Sequence, residues 1–514
     1  MNIIDNEINA ISFNLLSPPA SQTETSIALV WDKPKNSSDI VSYQVYINGE
    51  IYGITANTDY TVTNLEFSQE YEAFIRAVFK NGDLSVKSNT IKVKTKSKGE
   101  IFDITSFGAI GDEKTLNTYE IQSAIKACTP GGTVYVPKGT FLTGAIYLKR
   151  NMTLYIEEGG LLLGSCRTID YPLIKYRWEG LETTCYSSLI NTPVSDYDRL
   201  ENITIMGMGK IDANGSILRK KELSENKGKP GRAICLRNVD NVYLKDITVK
   251  QSPAWCVHLI YCNNVSVNNI KIYTKHDEYG NKYLNMSNGN GLNPDSTSNV
   301  FIFNSMIASQ DDCIAIKSGR DAEGRNVGIP SENIRITNCA FKSGFGVAVG
   351  SEMAGSVRNV LVQDCHFQDV YSVGSIKAPR CRGGVVENIK YEDITFNNTN
   401  LEYKDCKWFR GAIYIDQFYS HDVIDSDKSK EFNDGTSIIR NITYKNIVLD
   451  TLAGNAIYLT GLPESPLKNI RLENVSAIGK YGFKANNIIG LVLRNVSVIS
   501  REDDKFLFDN VKLK

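Results

Sequence analysis

A short phrase recurs down this chain: Asn, then Val or Ile, then a polar residue, then an apolar one. It reads NITIMG at 202, NVYLKD at 241, NVSVNN at 264, NVFIFN at 299, NIRITN at 333, NVLVQD at 359, NIKYED at 388, NITYKN at 441 and NIRLEN at 469. Repeats roughly 20–50 residues apart mark a solenoid, whose units bury their apolar faces against one another. The longer step from 388 to 441 implies an inserted loop. Between the phrases the text is strand-like, with no helices. Alternation along each strand points every second side chain inward, where Val, Ile, Leu and Cys stack coil on coil. This pattern predicts an all-β chain built as a right-handed parallel β-helix. An ordinary β-sandwich would not repeat one phrase nine times.

The start of the solenoid has its own signature. In IFDITSFGAIGDEKTLNTYEIQSAIKAC, residues Leu116, Ile121, Ala124, Ile125 and Cys128 form an apolar stripe at helical spacing, which predicts a helix over 116–128. Such a helix would cover the first coil, whose open strand edges otherwise invite aggregation.

The first hundred residues read differently. Short alternating strands, SIALVWDKP, VSYQVYING, DYTVTNL, YEAFIRAVF and NTIKVKT, are separated by turn residues at the spacing of a small sandwich. With Trp31 on an early strand and Leu65 six residues ahead of Tyr71, this part resembles a fibronectin type III module, with Tyr71 in the tyrosine-corner position. TKSKGE at 95–100 is a polar, basic linker. The expected division is a sandwich over 10–97 and a β-helix over 98–514.

Composition narrows the function classes. The chain has 514 residues and a formal net charge of −1, which leaves no electrostatic footprint for nucleic acid. No run of 18 apolar residues offers a membrane span. The N-terminal text lacks a basic start followed by an apolar block, so the expectation is a cytoplasmic monomer, with a periplasmic or secreted home as the alternative. Eleven cysteines are scattered without a C-x-x-C pair. Cys235, Cys256, Cys313, Cys339 and Cys365 stand in strand-like runs and read as buried free thiols. Four histidines argue against a zinc site, and neither a metal nor a cofactor is expected.

The chemistry concentrates in residues 288–319, NGNGLNPDSTSNVFIFNSMIASQDDCIAIKSG. Asp311 and Asp312 adjoin apolar β-type residues, and Asp295 lies upstream in an Asn/Gly/Pro turn. Charges are kept out of such surroundings unless they are paired or used. Stacked coils lie about 4.8 Å apart, so residues one coil apart become neighbours. Asp295, Asp311 and Asp312 are therefore expected on one outward face. Like charges resist joint ionisation, so one carboxyl can serve as an acid while another stays a base, the division glycoside hydrolysis needs. From the residues alone, a Ca²⁺ site or a structural Asp ladder is an equal alternative.

Several longer stretches carry a resemblance. NPDS (293–296), QDDCIAIKSGRDAEGR (310–325), GIPSENI (328–334), VAVGSEM (347–353) and RGGVVENI (382–389) are similar to glycoside hydrolase family 28, the polygalacturonases, and to its exo-acting bacterial branch in particular. The resemblance covers nearly all of 101–514, and a fibronectin type III module ahead of the β-helix occurs in that branch. It implies inverting hydrolysis of α-linked galacturonic acid in pectic oligo- or polysaccharides. Asp311 matches the family's general acid, and Asp312 matches one of the carboxylates that activate water. Lys377, in SIKAP, matches the lysine of the family's R-I-K motif, which contacts a substrate carboxylate. Lys317, in AIKSG, is a second candidate cation, with Arg380, Arg320 and Arg382 behind it.

Three positions depart from the pattern. The family's x-D-G-I-N-P-D reads NGNGLNP here, so Asn290 replaces a carboxylate that helps activate water, and an amide is no useful proton acceptor. The family's G-H-G is Gly344-Phe345-Gly346, and the arginine of R-I-K is Ser375. The rhamnogalacturonan-cleaving relatives also lack that histidine and that arginine. One implication is therefore a neutral sugar such as rhamnose beside the galacturonate, with its methyl packed on Phe345. The others are a non-catalytic pectin-binding β-helix, or an Asn290 engineered to trap substrate.

The remaining candidates are weighed against ordinary packing. Trp255 and His258, in SPAWCVHLIYCNNV, are similar to a segment of the exo branch; His258 either binds substrate or is a hydrogen-bonded wall residue. Tyr419, in GAIYIDQFYS, stands where family members place a sugar-stacking tyrosine. Trp178 and Trp408 sit in inserted segments and either wall the site or are buried by their own loops. Pectate lyases on this fold need a Ca²⁺ nest and an arginine base, which the QDDC block does not resemble.

Overall fold

The computed structural model describes residues 13–34, 37–194, 198–398, 410–419, 428–502 and 505–514. The chain divides into two compact units, with the change at Glu100 and Ile101; residues 129–132 group with the first.

The first unit is a β-sandwich. Ile27–Val30 pairs with Asp59–Val62, and a four-stranded antiparallel sheet runs Glu50–Thr55, Ile40–Ile47, Glu70–Phe79, Ile91–Lys94. Trp31 is fully buried in its core, edge-on to Tyr43 at 5.3 Å. The Tyr71 hydroxyl accepts from the Glu66 N–H at 2.9 Å, which closes the tyrosine corner. Glu50–Thr55 is absent from the strands read in the sequence. It is an exposed edge strand, so it lacks the alternation that reveals its neighbours.

The second unit is a parallel β-helix. From Ile190–Asn191 to Val357–Gln363 its strands pair in register with the strand three places on, so each coil contributes one strand to each of three parallel faces; from His366–Gln368 onward two strands of a coil run together and the partner is one or two places on. The recurring phrase forms one of these faces. Its second residue stacks in a single inward column: Ile203, Val242, Val265, Val300, Ile334, Val360, Ile389, Ile442 and Ile470. All nine are buried, and each contributes about 1.5–3 kcal/mol of apolar burial.

The Asn that opens the phrase has a separate cause. Each one takes a left-handed turn, with φ between 54° at Asn202 and 63° at Asn241, where Asn is the tolerated non-glycine residue. The turned side chains then bond along the stack. The Nδ2 groups of Asn333, Asn359, Asn388 and Asn469 each donate to the preceding Oδ1 at 3.1 Å, and that of Asn441 donates at 3.2 Å. The corner is thus bent by backbone preference and tied by an amide ladder, at about 1 kcal/mol per bond.

The capping helix is Thr118–Ala127, with Ile121, Ala124 and Ile125 buried. It starts later than the sequence suggests. Leu116 belongs to the strand Asp112–Leu116, pairs with Leu142 and is exposed, so it takes no part in the apolar stripe. Cys235, Cys256, Cys313, Cys339 and Cys365 are buried free thiols. An inserted antiparallel hairpin, Leu173–Trp178 with Leu181–Tyr186, leaves the coils between two solenoid strands and supplies residues to the interior beside the site. No helix among the described residues is long and apolar enough to cross a membrane.

Candidate active site

The site lies on the face formed by Val257–Ile260, Leu292–Asp295, Ile314–Ile316, Val347–Gly350, Gly374–Lys377 and Gly411–Asp416, which pair in that order. Register fixes a column along this face that runs Asp295, Lys317, Gly350, Lys377, Asp416. Asp311 and Asp312 belong to the turn just before this face, beside Asn290, because the Gly291 N–H donates to the Asp312 carbonyl at 2.9 Å.

That turn is shaped by the coil above it. Gly344 and Gly346 both have positive φ, 81° and 63°. A Cβ on Gly344 would stand 2.1 Å from the Asp311 carbonyl oxygen, and one on Gly346 would stand 2.0 Å from the Ser372 carbonyl oxygen. Only glycine allows this approach. The Phe345 N–H then donates to the Asp311 carbonyl at 3.0 Å. The Gly-Phe-Gly turn is therefore the clamp that holds the Asp311 backbone.

A cavity of about 510 Å³ opens here, lined by Asp311, Phe345, Ser375, Lys377, Asp416 and Tyr419 among others. Asp311 is half-buried and faces it. Burial, and after it the neighbouring Asp312 charge, pushes its carboxyl up to about 6, while Lys377 and Lys317 pull the other way. Asp312 is buried behind the wall, and both its oxygens accept from the Lys377 ammonium, at 2.9 and 2.8 Å. That ammonium also stands 6.0 Å from the Phe345 ring centre and 5.6 Å from that of Tyr419. Phe345 stacks on Tyr371 at 4.5 Å and gives the cavity an apolar, aromatic wall.

Asn290 is buried, donates from Nδ2 to the Asn293 Oδ1 at 3.0 Å, and leaves its own Oδ1 without a partner. The amide thus stands beside the acidic turn with one acceptor unused.

Four sequence candidates are spent elsewhere, and none lines the cavity. Asp295 is fully buried. One oxygen accepts from Arg177 at 2.7 Å, and the other meets His258 Nε2 at 3.2 Å. Burial works to raise its carboxyl, but Arg177 and His258 override it and hold it far below the usual carboxylate range. His258 is buried edge-on to Trp255 at 4.8 Å, and burial pushes its imidazole down to about 4. Lys317 donates to Glu352 at 2.5 Å and lies 4.8 Å from the Trp255 ring centre. Arg380 makes a forked bond to Glu464 at 2.7 and 3.0 Å. Trp178 is buried against Trp255 at 5.9 Å, nearly parallel. Trp408 lies outside the described residues.

Of the lining residues that escaped the sequence reading, two are charged, Asp416 and Arg410. The stretch GAIYIDQFYS contains Asp416, and strand register with Lys377 is the signal that places it. The Asp416 oxygens accept from the Phe418 N–H at 2.7 Å and from the Tyr414 hydroxyl at 3.0 Å, and burial raises its carboxyl.

The arrangement offers a raised carboxyl on a cavity, a neighbouring carboxylate with its counter-charge, and cations along one wall. It is equipped to donate a proton to a leaving oxygen of an acidic ligand.

Known proteins resemble this chain over most of its length. A model described as Glycosyl hydrolases family 28 matches residues 187–495. A Rhamnogalacturonase A/epimerase, pectate lyase-like model matches 101–155, and a fibronectin type III domain model matches 17–94. An exo-poly-alpha-D-galacturonosidase of Dickeya chrysanthemi is 28% identical over 526 aligned positions, covering 86% of this chain and 83% of that relative. A probable polygalacturonase of Vitis vinifera is 30% identical over 389 positions, covering 73% of each. The family 28 exopolygalacturonase of Yersinia enterocolitica shares the fold, with a TM-score of 0.84 at 23% identity over 98% of this chain and 99% of that one. A family model that spans most of the solenoid, site turn included, places this chain among the glycosyl hydrolases of family 28.

Proposed function

We propose that this enzyme removes α-linked galacturonic acid from pectic chains by inverting hydrolysis. Asp311 is the general acid, and Asp312 is the carboxylate that polarises the attacking water, with Lys377 as its fixed counter-charge. The observation that carries the reading is the split between the two adjacent aspartates: one faces the cavity with its carboxyl raised to about 6, the other is tied by both oxygens to an ammonium. Two neighbouring carboxyls with different environments are what acid-and-base cleavage of a glycosidic bond uses.

Asp295 is a positioning residue in this reading, since its partners Arg177 and His258 lie off the cavity, whereas Lys377, which holds Asp312, lines it. Tyr419 and Phe345 are sugar-contacting residues, and Asn290, with its unused Oδ1, orients water or a sugar hydroxyl. Exo action is supported by the names of the Dickeya and Yersinia proteins.

A second reading is favoured by one feature. Phe345 and Tyr371 put a stacked aromatic pair where a deoxy sugar's methyl would pack, which suits a rhamnose next to the cleaved galacturonate. One experiment separates the two. The enzyme is incubated with polygalacturonate oligomers and with rhamnogalacturonan oligomers, and products are resolved by size and anomeric form. Monomeric β-galacturonate from the first substrate supports the main reading. Turnover of the second alone supports the alternative, and no new reducing ends from either would sink both.

A further inference from the structure

An acidic sugar needs a cation that is free to receive it. Among the described residues, Lys377 and Arg410 are the cations lining the cavity. Lys377 is committed to Asp312 through both carboxylate oxygens. Lys317 and Arg380, off the cavity, are committed to Glu352 and Glu464. Among the described residues, no side-chain hydrogen bond or ion pair holds the Arg410 guanidinium. The nearby carboxylate, Asp416, has its oxygens taken by the Phe418 N–H and the Tyr414 hydroxyl.

Arg410 immediately precedes the strand Gly411–Asp416, which pairs with Gly374–Lys377 so that Tyr414 lies level with Ser375. Ser375 stands where the motif it resembles has arginine. Ser375 lines the cavity, and its hydroxyl is buried with no hydrogen-bond partner. A buried hydroxyl left open is costly unless a ligand completes it. The positive charge missing at 375 thus reappears one coil further on.

We propose that Arg410 is the uronate-binding cation of this site, taking the substrate carboxylate on its planar guanidinium while the Ser375 hydroxyl donates to the same sugar. Arginine suits the task because its parallel N–H groups match the two oxygens of a carboxylate. The assignment rests on the pectic reading above, and it moves the seat of acid selectivity from Lys377 to a residue outside the R-I-K motif.

The test measures binding of galacturonate oligomers and of the same oligomers reduced to neutral galactose, by calorimetry, in wild type, Arg410→Gln and Arg410→Lys, each checked for folding by its thermal transition. Arg410→Gln is expected to weaken the acidic ligand roughly 10- to 100-fold and the neutral one little, with Arg410→Lys in between. Equal loss for both ligands, or no loss for either, overturns the role of Arg410. Hydrolysis of the acidic oligomers by wild type is read in parallel. If wild type hydrolyses them and Arg410→Gln keeps full acid selectivity, the inference alone fails. If wild type neither binds nor hydrolyses them, the pectic reading fails with it. A variant that does not fold is replaced by Ser375→Ala, expected to weaken both ligands and leave the preference for acid intact; loss of that preference counts against Arg410.

Discussion

The Lys377 ammonium bonds both carboxylate oxygens of Asp312, at 2.9 and 2.8 Å, across 65 residues of sequence. This pair is nearly sealed from solvent, with side-chain exposures of 10% and 3%. A buried pair of this kind is sensitive to removal of one member, because the other charge is left uncompensated. Lys377→Met is therefore expected to lower stability by about 3–5 kcal/mol and to abolish turnover. Denaturant melts and initial rates on the same preparations check both. Lys377→Met combined with Asp312→Asn should recover much of the stability and none of the turnover.

With Asp311 as the proposed acid, its carboxyl is expected to set the upper limit of the working pH range. Its carboxyl stands at about 6, raised by burial first and by Asp312 second. A general acid works protonated, so kcat/KM should fall as pH rises through about 6. Asp312→Asn removes a like charge and should move the residual limb to lower pH. A limb that stays put in that variant, or activity that rises above pH 7, would remove Asp311 from the acid role.

Arg177 and Asp295 are expected to act on the site at one remove. The hairpin arginine reaches 118 residues along the chain to a fully buried carboxylate. Arg177→Met strands that carboxylate and should cost about 3–5 kcal/mol, whereas Arg177→Met with Asp295→Leu should be far milder. Asp295→Asn should keep measurable turnover, while Asp311→Asn loses roughly 10²–10⁴-fold. Equal losses from the two Asp→Asn changes would return Asp295 to the chemistry. Rates and thermal midpoints for the five proteins decide it.

The same geometry shows what the sequence could reveal. The solenoid was legible because one phrase encodes one corner and one strand. Asn333 and Asn359 take the left-handed turn, and Ile334 and Val360 fill the inward column beside them. The acidic turn beside the cavity was legible because Asp311 and Asp312 are adjacent. What stayed hidden was which charges are already spent. Lys317 meets Glu352 and Arg380 meets Glu464 only after the coils stack, with 35 and 84 residues between partners. The counter-charge of Asp295 stayed hidden because it comes from an inserted hairpin that no repeat foretells. Arg410 went unnoticed because it lies before the strand, and register with Gly374–Lys377 is what brings it to the cavity.

His258 gives the last expectation, on stability against pH. It is buried against Trp255 and Asp295, with Arg177 and Arg232 nearby, and its imidazole is pushed down from 6.5 to about 4, by burial first. A histidine depressed in the fold stays neutral there while the unfolded chain takes up a proton. Its contribution is complete above 6.5, declines as pH falls toward 4, and levels off below that. The loss across that window is roughly 3 kcal/mol. Glu222 and Asp311, raised to about 8 and about 6, work in the opposite direction, since the fold holds their protons more tightly than the unfolded chain. Those two are common to wild type and to His258→Gln, so the quantity to measure is the stability gap between the proteins. That gap, by chemical denaturation, should shift by about 3 kcal/mol against wild type between pH 7 and pH 4. A gap that is constant with pH would mean that the imidazole takes up its proton alike in the fold and in the unfolded chain, so that burial does not depress it.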